Sequence, residues 1–455
     1  MPTTPRVTNL NATSVDILNA IRNSATANYQ NYVPVASPDV QSIREIGAII
    51  MNFPALQNEF LSALVNRIGR VLITNKMYSN PLTVFKKGIL EYGETIEEIF
   101  VDLAKPFQFD VPTAETQVFR REMPDVRAAF HVLNYQKFYK TTIQEDQLRQ
   151  AFLSWSGVTD LIAKIVDSMY SGAAYDEYNV TLYLLARHIL SGNLYPVSIP
   201  AATAQNAKGI VTAVKKVSNA FEFMSTKYNK AGVHNFTKKE DQYLILSADF
   251  DATMDVEVLA AAFNMDKAEF TGHRVLVGSF GDIDTARLAE IFDSDETYVE
   301  LTDAELSALD ALPGVLIDGD FFMILDNMYK FTEQYNGQGL YWNYWYHVWK
   351  TFSISPFSNA TVFVPGTPAI TSVTVSPDAV TAGAGQKVNL TAEVVTEYFA
   401  SKAVNWTLSE DAHATVDIYG TVVIDADAEA GTTITVTATS VFDPTKSDTC
   451  TITIA

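Results

Sequence analysis

The feature of the sequence that most constrains the fold is an aromatic run, QYNGQGLYWNYWYHVWKTFSIS, over residues 334–355. It holds three of the chain's 5 Trp residues, Trp342, Trp345 and Trp349, together with several tyrosines. Such a run can stack sugars, stack bases or fill a core. Successive side chains of a strand point to opposite faces, and here both faces carry large rings. A sugar platform needs one exposed face, so the pattern favours a structural strand that is buried on both sides.

The composition changes sharply just before residue 370. Residues 370–455 are mostly Thr, Val, Ala, Ser and Asp, in short alternating segments such as ITSVTVSP, QKVNLTAEVV and TTITVTATS. Turns separate these segments at the spacing of a β-sandwich. The sequence therefore predicts a separate all-β domain at this end of the chain.

The N-terminal region has helical and then extended character. TSVDILNAIRNS begins with Thr13 and Asp16 at capping-box spacing, which predicts a short helix over residues 13–24, and apolar periodicity predicts another near 57–69. Residues 71–142 have strand composition broken by Gly and Asn-Pro. Few of their runs can form a core, so we expect either a long excursion that a partner buries or an ordinary sheet in a compact domain.

The middle of the chain is helical and then mixed. Apolar stripes over residues 143–191 predict a long helix or helix pair that ends at Gly192. Over 193–333, strand patterns such as QYLILSAD, RVLVGSF and DFFMILDNMYKF alternate with helical ones such as DVEVLAAAFNMD. This alternation predicts an α/β layer.

Composition narrows the functional classes. The 455 residues carry a net charge of -21, which disfavours nonspecific attraction to nucleic acid. A single cysteine, Cys450, allows neither an intrachain disulfide nor a cysteine-based zinc site. We find no signal-peptide pattern and no apolar run long enough for a bilayer, so we expect a soluble protein of a reducing compartment that binds neither membrane nor specific nucleic acid.

One short pattern resembles an enzyme motif. DFDAT, residues 249–253, follows the apolar run YLIL, as DxDxT follows a strand in haloacid-dehalogenase-type phosphatases. That resemblance would make Asp249 a nucleophile, Asp251 an acid/base and Mg²⁺ the cofactor. The motif lies far along the chain and no matching later motifs follow it, so a turn with a helix N-cap is favoured. The sequence predicts no catalytic residue, no cofactor and no metal ligand.

Two basic pairs, Lys86-Lys87 and Arg120-Arg121, are the compact basic spots of the extended region. They are either solvated or paired with an acidic neighbour. In an acidic chain we favour pairing, which across subunits would supply charge complementarity.

The order of these parts resembles the Hong Kong 97-type capsid fold of tailed phages. FKKG…GETIEEIF, FRREMPDV, FYKTTIQEDQLRQAFLSW, LAAAFNMD and GLYWNYWYHVWKTFSIS are similar to segments of the major capsid proteins of phi-twenty-nine-like short-tailed phages. The C-terminal part resembles a bacterial immunoglobulin-like group 2 domain, and this implies that Trp406 fills its core. The expected fold class is thus α+β, a Hong Kong 97-like shell fold followed by an all-β immunoglobulin-like sandwich.

The resemblance implies a domain plan and a function. The expected parts are an N-terminal arm with helices (1–70), an extended loop (71–142), a peripheral domain with a spine helix (143–199 and 334–366), an axial domain (200–333) and the immunoglobulin-like domain (367–455). The chain would be a major capsid protein, not an enzyme, that forms pentamers and hexamers of an icosahedral or prolate head shell. A phosphatase or a carbohydrate-binding adhesin is the alternative.

The resemblance also implies partners and contact residues. The expected partners are other copies of the chain, a separate scaffolding protein, a portal or connector at one vertex, and a head fibre or host surface for the immunoglobulin-like domain. The expected location is the virion shell, after assembly in the host cytoplasm. Nothing singles out residues for covalent cross-linking of subunits. The residues expected at subunit interfaces are Phe85, Lys86, Lys87, Arg120, Arg121, Glu122, Trp342, Trp345 and Trp349.

Overall fold

The computed structural model describes residues 13–60, 63, 78–90, 95–107, 121–153, 157–200, 206–255, 273–293, 295–409 and 413–455. The N-terminal helices are α1 (Ser14–Ser24), α2 (Ala27–Tyr32) and α3 (Val40–Asn52). Thr13 caps α1 in a capping box with Asp16, as predicted. Residues 54–60 are also helical, and the rest of the helix predicted near 57–69 lies largely outside the described residues, as does most of DVEVLAAAFNMD.

One long helix dominates the middle of the chain. The later helices are α4 (Glu145–Ala151), α5 (Gly157–Leu190), α6 (Ala207–Phe221), α7 (Ala248–Asp255), α8 (Thr285–Ile291) and α9 (Asp303–Asp310). The stripes over 143–191 thus belong mainly to one continuous helix, α5, of 34 residues. It ends just before Gly192, where φ is +68°. Among the described residues, no helix is both long and apolar enough to cross a membrane.

A four-stranded sheet packs on α5. Its order is β1 (Lys86–Ile89), β9 (Phe322–Asn336), β10 (Tyr341–Ile354) and β4 (Tyr135–Gln144). The aromatic run forms β10, which lies between β9 and β4 and is antiparallel to both. The ring of Tyr346 lies 4.5 Å from that of Tyr170 on α5, and this contact joins sheet and helix.

A second sheet forms the α/β layer. Its order is β5 (Tyr195–Ser198), β11 (Ala360–Val364), β8 (Gly314–Asp318), β6 (Gln242–Ser247) and β7 (Arg274–Val277). Apolar residues of α6 cover one face, and the other face joins the main core. Strands β5 and β11 come from the ranges 143–199 and 334–366, so this sheet extends beyond the 200–333 range expected for the axial domain.

The extended region contains a two-stranded antiparallel hairpin, β2 (Thr95–Val101) and β3 (Val126–Val132). The hairpin pairs with no other sheet among the described residues. It therefore stands as a separate ribbon against the rest of the described residues before 367, which together are called the shell domain after the expected fold.

The C-terminal residues form the predicted sandwich. Its strands are β12 (Ala369–Ser376), β13 (Ala379–Ala382), β14 (Lys387–Asn389), β15 (Thr391–Glu397), β16 (Val404–Leu408), β17 (Ala414–Val416), β18 (Thr421–Ile424), β19 (Thr433–Ser440) and β20 (Ser447–Ile454). They enclose a core of their own, in which Val436, Cys450 and Ile452 are fully buried. Burial also raises the pKa of the Cys450 thiol, so this residue serves packing.

Candidate assembly surfaces

The inner face of the β2–β3 hairpin is fixed to its own chain. Phe100 stacks on Phe357 with ring centroids 5.4 Å apart. The carboxylate of Glu98 accepts a hydrogen bond from Ser355 Oγ at 2.7 Å and lies 3.1 Å from Nε2 of the buried His131. These contacts set the orientation of the ribbon because they combine ring packing with satisfied buried polar groups.

The outer face of the hairpin is mostly apolar and is uncovered, with Thr95 and Glu97 as its polar residues on β2. Strand alternation and register place one set of side chains together on this face, and Ile99 and Phe130 are 59% and 64% exposed. The exposed apolar residues of this outer face are Ile99, Val101, Val126, Phe130 and Val132. A contiguous apolar surface of this kind marks a protein interface.

Phe85, at the root of the extended loop, lies in the core. Its ring packs between Tyr243 and Phe322, with centroids 5.1 Å from each, and only 2% of the residue is exposed. The expectation that Phe85 lies at a subunit interface is therefore corrected, because its side chain packs within its own subunit.

Lys86 enters a buried charge cluster. Its Nζ lies 3.2 Å from Glu177 Oε2 on α5 and 2.8 Å from Asp326 Oδ2 on β9. Lys350 on β10 contacts the same two carboxylates, at 2.9 Å from Asp326 Oδ1. Asn80 Nδ2 donates to Glu177 Oε1 at 2.9 Å. The cluster ties the loop root, the long helix and both central strands together.

The electrostatics of the cluster are balanced. Burial lowers the pKa of Lys86, but the two carboxylates outweigh burial and raise it. Burial raises the pKa of Asp326, and the two ammonium groups outweigh it and hold that pKa below its usual value. Lys86 and Asp326 are therefore charged at neutral pH. Lys86 thus forms ion pairs within its own chain, and its contact across subunits stays a prediction.

A bulge in β9 helps build this cluster. Trp349 lies opposite Met328, whereas the next residue, Lys350, lies opposite Asp326. Asn327 is thus an extra residue in β9, and it brings Asp326 into register with Lys350. The sequence contains no signal that would have revealed this shift.

The remaining charged candidates lie nearer the surface. Lys87 pairs with Asp320, whose side chain is 79% exposed. Arg121 is exposed, and Glu122 lies 3.6 Å from Lys105. Arg120 lies outside the described residues. Contacts of these residues across subunits stay predictions.

The aromatic strand β10 has two different faces. Trp342 and Tyr344 lie on the face that packs into the core, and each is at most 2% exposed. Trp345 and Trp349 lie on the opposite face and are half-buried, with Lys140 Nζ 5.8 Å from the Trp345 ring. The prediction that this strand is buried on both faces is thus correct for one face, whereas the other face is partly exposed in a single chain. A subunit contact on this face stays a prediction, whereas Trp342, which was also expected at an interface, packs within its own subunit.

The DFDAT motif has a structural role at Asp251. Asp249 and Asp251 lie in the first turn of α7, directly after β6. The buried Asp251 forms an ion pair with Arg274 on β7, which joins the helix to the sheet edge. Acidic residues in the first turn also stabilise the helix N-terminus.

Trp406 of the sandwich packs against its core but is only half-buried. A methyl group at Gly420, in the turn before β18, would lie 2.9 Å from the Trp406 ring, so the ring rests on this turn. Core packing therefore accounts for Trp406.

Comparison with known proteins decides the family. Residues 18–364 match the family model of the Phi29-like phage major capsid protein. The chain belongs to this family. Residues 369–449 match the bacterial immunoglobulin-like domain, group 2. Within the Phi29-like family, the protein is a phage major capsid protein, a structural component of the virion shell and not an enzyme.

Individual relatives agree with this assignment. The chain is 38% identical to the major capsid protein of Bacillus phage PZA, over 84% of this chain and 80% of that protein. It is 35% identical to that of Bacillus phage GA-1, over 91% and 83% of the two chains. A solved capsid structure of Staphylococcus phage Andhra shares the fold, with 14% identity, a TM-score of 0.50, and coverage of 64% of this chain and 86% of that one.

Proposed function

We propose that copies of this capsid protein form pentamers and hexamers of one closed shell around the phage genome, joined through the outer face of the β2–β3 hairpin. The observation that carries the proposal is the apolar outer face, exposed in a single chain while the inner face is fixed. A ribbon with one fixed and one free apolar face fits a neighbouring copy. In a closed symmetric assembly one sequence supplies both sides of every such contact.

The second surface is the half-buried face of β10. Trp345 and Trp349 present aromatic rings there beside the exposed Phe138 of β4. Tyr and Trp suit interfaces because they combine large apolar area with a polar tip. We assign this face to a subunit contact as well, since a stable interface buries roughly 1,200 Å² or more in total and one ribbon face is small.

Several partners follow from the capsid role. One proposed partner is a separate scaffolding protein that acts during assembly. The shell needs a portal or connector at one vertex. Assembly takes place in the host cytoplasm. The net charge of -21 supports an inner wall that does not trap DNA during packaging, and a strongly basic lumen would contradict this.

The immunoglobulin-like domain has two candidate roles, stabilising the shell or binding a head fibre or host surface. Deleting residues 367–455 separates them. Loss of assembly supports the first role, and normal heads with poorer adsorption support the second.

Substitution of Phe130 with Asp tests the assembly surface. Phe130 is exposed in the single chain, so the Phe130→Asp variant should fold with an unchanged melting temperature. It should fail to form shells, as judged by electron microscopy and sedimentation after expression with the other head proteins of the phage. The matched Phe130→Leu variant should assemble. Normal shells from Phe130→Asp would overturn the proposed contact.

A further inference from the structure

A short loop of the immunoglobulin-like domain, Tyr398–Lys402, touches the shell domain. Phe399 packs against the core of the shell domain, whereas the next residue, Ala400, is fully buried in the core of the sandwich. Two consecutive side chains thus serve two different cores. Loop positions of a freely tethered domain would face solvent instead.

The loop meets the shell domain at the end of α5. A Cβ added at Gly192 would lie 2.8 Å from the carbonyl oxygen of Ala400 and 2.9 Å from the backbone nitrogen of Lys402. Both are backbone atoms, which cannot rotate aside. Only glycine therefore allows this approach of loop and helix end.

The conformation of the loop is costly on its own. Tyr398 and Phe399 have φ values of +49° and +59°, in the left-handed region that bulky residues rarely adopt. Such strain persists only where the surroundings hold it. The surroundings here include Gly366, which packs under the ring of Tyr398, and a ring contact at 6.3 Å between Tyr195 and Phe442.

We infer that Tyr398–Lys402 is a docking loop that holds the immunoglobulin-like domain in one fixed orientation on the C-terminal end of α5. The partner of this loop is the shell domain of the same chain. The domain is thus a rigid part of the subunit rather than an appendage on a flexible linker. Every copy in a shell would present the same face of the domain to its surroundings.

A substitution at Gly192 tests docking in the full-length chain. Lys402 itself is exposed, but a protease must bind a stretch of several residues, and the backbone of Ala400 and Ser401 lies against Gly192. Trypsin cleavage after Lys402 should therefore become faster when the loop undocks. The Gly192→Ala variant should be cleaved there at least about tenfold faster than the unmodified chain, with a matching rise in amide exchange over residues 397–403. The control is Gly232→Ala, since Gly232 has a similar φ of +63° but nothing within 4 Å of an added Cβ. This control should be cleaved after Lys402 at the unmodified rate.

A second variant covers the case in which Gly192→Ala does not fold. Phe399→Ser removes the side chain that reaches the shell core and leaves the helix end unchanged. It should give the same accelerated cleavage. Unchanged protection of Lys402 in Phe399→Ser, or rapid cleavage in the unmodified chain, would overturn the inference.

Discussion

Lys350 on β10 and Glu177 on α5 form an ion pair inside the shell domain, where their side chains are 4% and 7% exposed. The pair links the central strand of a sheet to the long helix that covers it. A buried ion pair does not by itself add much stability, but removal of one partner leaves an uncompensated charge. The consequences of this arrangement can be measured.

Replacement of Lys350 by Met should destabilise the unassembled subunit by about 3 kcal/mol, because Glu177 and Asp326 would keep only Lys86 as a cation. The control is Lys87→Met, whose partner Asp320 is exposed, and it should cost less than about 1 kcal/mol. Urea unfolding followed by tryptophan fluorescence measures both. Equal losses in the two variants would contradict the assignment of Lys350 to the core.

Charge reversal should separate Lys86 from Lys87. The Lys86→Glu variant places a third carboxylate beside Glu177 and Asp326, so it should lower the melting temperature of the subunit before any assembly. Lys87→Glu should leave that melting temperature nearly unchanged and act, if at all, on shell formation. Calorimetry of the unassembled chain is the measurement. A Lys86→Glu subunit of normal stability that fails to assemble would contradict the structural role of this ion pair and support a cross-subunit role of Lys86.

His188, near the end of α5, should make the subunit acid-sensitive. Burial, assisted by Lys230, lowers the pKa of His188 from 6.5 to about 4. The unfolded chain therefore binds more protons between these values, and stability present above pH 6.5 is lost as pH falls toward 4. The loss should approach about 3 kcal/mol. In unfolding curves measured from pH 7 to 4, the free energy of unfolding should fall less steeply for His188→Gln than for the unmodified chain. An identical fall in both would exclude His188 as the source of the acid sensitivity.

The two faces of β10 should respond differently to assembly. Trp342 is buried in one chain, whereas Trp345 and Trp349 are half-buried. Acrylamide should therefore quench part of the tryptophan fluorescence of free subunits, and it should quench a markedly smaller part in assembled shells. A variant with both Trp345→Phe and Trp349→Phe should lose most of that difference, while Trp342→Phe should keep it. Equal quenching before and after assembly would contradict a subunit contact on this face.

Local sequence patterns were sufficient to predict those elements whose signals come from residues close together in the sequence. The capping-box spacing of Thr13 and Asp16 predicted α1, and the alternation in the aromatic run predicted the strand β10. The change in composition before residue 370 placed the sandwich. In each case the signal lies within a few residues of the element that it predicts.

Long-range pairing could not be predicted in the same way. Lys86 and Glu177 are 91 residues apart, and each is an ordinary charged residue until the fold brings them together. The bulge at Asn327 leaves no trace in the pattern of β9. Both faces of the hairpin carry apolar residues, so the sequence does not tell which face its own chain covers.

The neighbouring positions Phe399 and Ala400 also bear on how such a domain can be exchanged between phages. Inserting or deleting one residue before this pair would offer each core the wrong side chain, even with both domains otherwise intact. A recombination joint at the linker near Gly366 would transfer the sandwich without its counterpart at Gly192. Chimeric capsids should therefore be viable only where the donor loop has the same length and the recipient chain has a glycine at the end of the long helix. The segment that must be exchanged together is thus larger than the immunoglobulin-like domain.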